Sequence, residues 1–133
     1  MHTSFLLTLT LHLLSGVFWA GSTFALARTA AASADRLFGP QIGAATVAIM
    51  TGGYLWHLLH PVFGSQEHIL ALGALCAILA VSAQAALCGP ALRQLKRADH
   101  EAPQFQARAA LGHRVAAGLL AVTVICMAVA RYI

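Results

Sequence analysis

The sequence predicts an all-α integral membrane protein: a four-helix bundle of up-down-up-down topology with both termini on the outer, periplasmic side. Three observations predict it. Charged residues make up only 9% of the chain and mean hydropathy is +0.77, whereas a soluble domain carries about a quarter charged residues. Four apolar segments, at about 4–27, 41–60, 68–92 and 108–131, each match the roughly 20 residues that cross a bilayer core. The connectors are short and hold most of the charge, which makes successive helices antiparallel neighbours. With 133 residues, the chain reads as a single transmembrane domain, 1–133.

The first helix is the run from Ser4 onward. A small-residue stretch, AAASAD, follows it, but no basic region precedes it and its apolar core is too long for a secretory leader, so it reads as a retained span. Pro40 is expected to start the second helix and Pro61 to stop it, since proline suits a first turn and cannot continue a helix. The third begins at His68 and carries Gly89-Pro90 near its end, where a kink is expected. The fourth begins after the basic RQLKRADHEAPQFQAR connector.

Basic residues set the orientation. Arg28, Arg36, Arg93, Lys96, Arg97, Arg108 and Arg114 belong to the two odd-numbered connectors or their helix ends, and only Arg131 lies opposite. Basic loops stay cytoplasmic, which places the chain in the inner (plasma) membrane as a multi-pass protein. The net charge of +4 is thus accounted for by topology. It forms no stripe for nucleic acid. Cys76, Cys88 and Cys126 are isolated in apolar runs with no CxxC, so they form neither a disulfide framework nor a thiolate site.

The chemistry lies in the histidines. Burying a polar group in hydrocarbon costs several kcal/mol unless it is partnered. His12 sits roughly 12 Å below the outer end of helix one at 1.5 Å per residue. His57 and His60 lie one turn apart at the end of helix two in GGYLWHLLHP, and His68 opens helix three on the same face. In helix two, Gly43, Thr46, Met50, Gly53, His57 and His60 recur at steps of three and four, and in helix one so do Thr8, His12, Ser15, Trp19 and Ser22. Small and polar stripes of this kind line membrane helix interfaces, so both are expected to face the bundle interior.

Two neutral imidazoles on facing helices suit the axial positions of haem iron. His12 and His57 are the expected ligands of one b-type haem near the outer face. Gly53 would leave room for the ring, Leu9, Leu13, Met50 and Trp56 would wall it, and Thr8 or Ser15 would hydrogen-bond the ligands. A rotation of about 60° exchanges His57 for His60. An alternative copper site would use His57, His60 and His68 with Glu67, because imidazoles with a carboxylate suit copper(II) or zinc and Met50 could add a soft ligand for copper(I). A structural reading stands beside both: histidines at helix ends cap carbonyls or sit among headgroups, as expected of His113 beside Arg114.

LHLLSGVFWAGSTFALAR, residues 11–28, resembles the opening helix of the copper-resistance D (CopD-like) membrane family. It is more distantly similar to that of the HemJ-type protoporphyrinogen oxidases, which are haem-b proteins. The matching positions are His12, Trp19, Gly21 and Arg28, while Ser22 stands where the pattern has a second glycine. TGGYLW, residues 51–56, resembles a later glycine-bearing helix of these proteins. The resemblance implies His12 as a haem or metal ligand with Trp19 packed beside it.

Together these readings point to a membrane b-type cytochrome-like protein or subunit that transfers electrons near the outer face in preference to a free-standing enzyme, with an enzyme of the haem-dependent oxidase type as the last alternative. Quinone or a larger respiratory complex would be its exchange partner, and homo-oligomers are compatible with it. The alternatives are a CopD-like copper-binding or transport protein and a ligand-free accessory subunit.

Overall fold

The computed structural model describes residues 2–29, 33–59, 64–97 and 103–133, with only the backbone of His2. Every regular element among them is helical: α1 (His2–Arg28), α2 (Ala34–Leu59), α3 (Ser65–Ala83), a π-helical turn (Gln84–Cys88), α4 (Gly89–Arg97) and α5 (Pro103–Ala130). The π-turn joins α3 and α4 into one span. Four helices are therefore long and apolar enough to cross a membrane: Thr3–Arg28, Ala34–Leu59, Ser65–Arg97 and Pro103–Ala130. The shortest, at 26 residues, is ~39 Å long, which exceeds a hydrocarbon core of about 30 Å.

α2 starts seven residues earlier than the sequence suggested, and Pro40 lies inside it. The start is set by Ser33, whose positive φ of 64° turns the chain and whose carbonyl accepts from the Arg36 and Leu37 amides. Asp35 in the first turn suits the positive end of the helix dipole. Pro40 leaves the Arg36 carbonyl without its helical donor, but both residues are exposed, so no buried group is stranded. At the other proline the expected irregularity is present. The π-turn ends one residue before Gly89-Pro90, with the Gly89 amide reaching back to Gln84 O, because Pro90 brings no N–H to the preceding turn.

The spans pack in the spatial order α2, α1, α5, α3. α1 runs along both α2 and α5, α3 runs along α5, and α2 barely touches α3. The central core is built of small residues: Ala45, Ala48, Ala77, Ala80 and Ala116 around Trp19 and Leu120. These allow close helix approach, the main source of attraction between helices that lipid already solvates. Gly112 is the tightest case, since a Cβ there would stand 2.7 Å from Cys88 Sγ.

Polarity is inverted relative to a soluble protein. Leu7, Val17 and Met50 are each at least two-thirds exposed, while Thr23, Gln41, Gln84 and His113 are fully buried. An apolar exterior around a polar interior suits a lipid bilayer.

Candidate functional site

On α1 the predicted inward stripe is observed. Ser15 and Trp19 are buried and Thr8, His12 and Ser22 are half-buried. On α2 it is not. Gly43, Thr46, Met50, Gly53 and His57 are exposed, and the inward positions are Gln41, Ala45, Ala48 and Leu55. Both sets step by three and four and both are rich in small residues. They differ by about two positions, or roughly 200° around the helix, so periodicity alone could not choose between them.

His12 is held against the inward face of α2. Its Nδ1 lies 2.9 Å from Ala48 O and 3.1 Å from Thr51 Oγ1. A carbonyl can only accept, so Nδ1 carries the proton and donates to it. Thr51 sends its own hydroxyl proton back to Val47 O at 2.6 Å and can accept from His12 as well. The ring lies over Gly52, where a Cβ would stand 3.0 Å from His12 Cε1. Gly52, not Gly53, is therefore the glycine that makes room, and nothing lies within 4 Å of a Cβ at Gly53. The remaining nitrogen, Nε2, keeps its lone pair and makes no hydrogen bond among the described residues.

His57 does not meet this ring. It is exposed and follows Ala48 by nine residues, half a turn around the helix. Met50 on α2 and Leu13 on α1 are likewise exposed, so the expected walls do not close around His12. Leu9 and Trp56 are half-buried. Thr8 and Ser15 donate to carbonyls of their own helix, at Ser4 and at Leu11 and His12. The hydroxyl that reaches the His12 ring is that of Thr51.

At the proposed copper rim, His60 lies outside the described residues. His68 is exposed and its Nδ1 lies 2.7 Å from Gly64 O, while Glu67 Oε2 accepts from the Gly64 amide at 2.6 Å. Glu67 thus caps the start of α3 from its third position, while the His68 ring donates to the carbonyl of the cap residue. Among the described residues no three His, Cys, Asp or Glu side chains gather into a possible metal site.

The second polar centre lies deeper and involves every span. Trp19 Nε1 donates to Gln84 Oε1 at 2.7 Å. Gln84 Nε2 donates to Thr23 Oγ1 at 3.0 Å and makes a long 3.5 Å approach to His113 Nδ1. Thr23 sends its proton to Trp19 O, and Gln41 Nε2 adds bonds to Ser22 Oγ at 3.0 Å and Thr23 Oγ1 at 3.4 Å. The amide facing His113 Nδ1 makes that atom the acceptor, so the proton sits on Nε2. Among the described residues two buried atoms have no partner: His113 Nε2 and Gln41 Oε1.

Neither a protein-family model, nor a curated protein, nor a solved structure matches this chain. The functional reading therefore rests on the residues themselves. Sequence reasoning treated His113 as an end-of-helix residue and passed over Gln41, Thr23 and Gln84. The missed signal was Gln84, an amide alone within LAVSAQAAL, which the cost of an intramembrane polar group flags as strongly as it flags His12.

Proposed function

We propose that this chain is a membrane subunit that holds one b-type haem through His12 and passes electrons near the end of the bundle where its N-terminus lies. The observation that carries the reading is the clamped imidazole. A histidine whose Nδ1–H is fixed on a backbone carbonyl, with Nε2 left bare, is the form in which histidine ligates a metal. The Ala48 carbonyl holds the ring in one orientation and one tautomer. Gly52 leaves room for the ring against α2. When bound, haem would supply a one-electron couple.

The fit is to one axial ligand. Since His57 turns to the opposite face of α2, it is not the second ligand within one copy. The apolar residues around His12 form a lipid-facing surface instead of a closed pocket. A neighbouring subunit of a larger redox complex, or a second copy, would complete the site, with quinone as a further exchange partner. The basic end of the bundle is assigned to the cytoplasm by the positive-inside rule, which places the His12 end outside.

The test is the visible spectrum of the protein purified from haem-supplemented cells. A Soret band that is lost in His12→Ala and kept in His57→Ala supports the reading. A colourless protein carrying stoichiometric copper would favour a copper-binding function, and one with neither would favour a ligand-free accessory subunit.

A further inference from the structure

We infer that the cleft between α2 and the α3–α4 span binds one anionic phospholipid, with an acyl chain along its apolar wall and the phosphate on Arg93. The inference is independent of the haem reading. The cleft exists because α2 leans on α1 and barely touches α3. It has a volume of about 270 Å³ and is lined by Phe38, Ile42, Ala85, Gly89, Pro90 and Arg93. The Phe38 ring crosses to Gly89, 3.6 Å from where a Cβ would stand, and bridges α2 to α4 there. Pro90 offers no N–H. Arg93 is thus the one charged group in an otherwise apolar lining.

Its guanidinium is exposed and has no ion-pair partner among the described residues. Among the described residues, Arg28, Arg36, Lys96, Arg97 and Arg108 stand at the same end of the bundle with Asp35. A concentrated positive end attracts anionic headgroups, but attraction alone has no address. What distinguishes Arg93 is that its charge stands at an apolar cleft open on the lipid-facing side of the fold, which calls for an amphiphile. Arginine also accepts a phosphate on two parallel N–H groups. A free anion would gain nothing from Phe38 and Ile42, and a neutral lipid would gain nothing from Arg93.

Native mass spectrometry of the full chain in detergent, titrated with phosphatidylglycerol or phosphatidylcholine, tests this. We expect one phosphatidylglycerol retained about fivefold more tightly than phosphatidylcholine. Arg93→Gln should remove that preference. Arg97→Gln, an equal charge change one turn along α4 and outside the cleft, should keep it. Ile42→Trp, which fills the cleft, should lower retention of both lipids. Equal losses in Arg93→Gln and Arg97→Gln would reduce the effect to general attraction by the basic end and overturn the proposal. So would equal retention of the two lipids, displacement by inorganic phosphate, or a dimer that retains no lipid and falls apart in Ile42→Trp. Circular dichroism of each variant checks folding, and Arg93→Gln changes only an exposed side chain.

Discussion

Trp19 on α1 donates its indole N–H to Gln84 on the π-turn at 2.7 Å, across 65 positions of sequence. Trp19 is 3% exposed and Gln84 0%, so the bond is made where no water competes. It fixes the amide orientation: with Oε1 taken by the indole, Nε2 must turn toward Thr23 and His113. The π-turn assists, since the register change at residues 84–88 alters which face of the span Gln84 occupies relative to the residues after Pro90.

Trp19→Phe leaves Gln84 Oε1 buried and unpaired. We expect a loss of about 1–2 kcal/mol in a reversible unfolding assay in micelles, because the stranded acceptor costs more than the bond contributes. Gln84→Leu combined with Trp19→Phe should be less than additive. Strict additivity in the double-mutant cycle would mean that the two side chains are not energetically coupled.

Gly52 and Gly53 make a matched pair for testing the clamp on His12. A methyl at residue 52 meets the imidazole at 3.0 Å, whereas at 53 it meets nothing within 4 Å. Gly52→Ala should displace the ring from Ala48 O and lower haem loading, with the fold retained. Gly53→Ala should leave loading intact and stabilise by up to ~1 kcal/mol through helix propensity. Equal loading in the two variants would show that the ring position does not matter to binding.

Gly112→Ala places a methyl 2.7 Å from Cys88 Sγ and 3.0 Å from Leu87 Cβ. In a packed interior such an insertion costs about 1–3 kcal/mol. Cys88→Ala removes the nearer obstacle, and the double variant should recover part of the loss in thermal unfolding. No recovery would locate the clash at Leu87 and the backbone beside it.

The spans were legible in the sequence because lipid imposes a length and a composition that 133 residues could meet in only a few ways. The inward face of α1 was legible as well: Trp19 and Ser15 share it with His12, and leucines such as Leu7 and Leu14 mark the other face. α2 offered no such contrast. Alanines at 45 and 48 form the interior, glycines at 43 and 53 face outward, and hydropathy hardly separates them. The pairing of His12 with His57 is not met in either respect: the His12 ring meets α2 at Ala48, Thr51 and Gly52, so His57 lies farther along the helix and is exposed. The early start of α2 was hidden by Pro40, whose missing donor is costly only when the affected carbonyl is buried. The polar chain through Gln84 depends on four helices meeting at one level, and no local pattern announces that.

His113 and Gln84 should respond differently to replacement by apolar residues of similar size. His113 already has an unpartnered buried Nε2, and its Nδ1 contact at 3.5 Å is near the limit of a hydrogen bond. His113→Phe therefore removes one stranded donor and frees one hydrogen of Gln84 Nε2, and these changes nearly cancel. We expect its stability to stay within ~1 kcal/mol of the parent. Gln84→Leu has no such offset, because it strands the Trp19 indole N–H and leaves both His113 nitrogens unpartnered, for a loss of about 2–3 kcal/mol. Adding Trp19→Phe and His113→Phe to Gln84→Leu removes the indole and imidazole that the single change strands, while Thr23 keeps its bonds to Trp19 O and Gln41, and should restore most of that loss. The measurement is reversible unfolding of the four proteins in one detergent. A His113→Phe variant less stable than Gln84→Leu would mean that His113 Nε2 has a partner, such as a bound water, whose loss outweighs everything Gln84 holds.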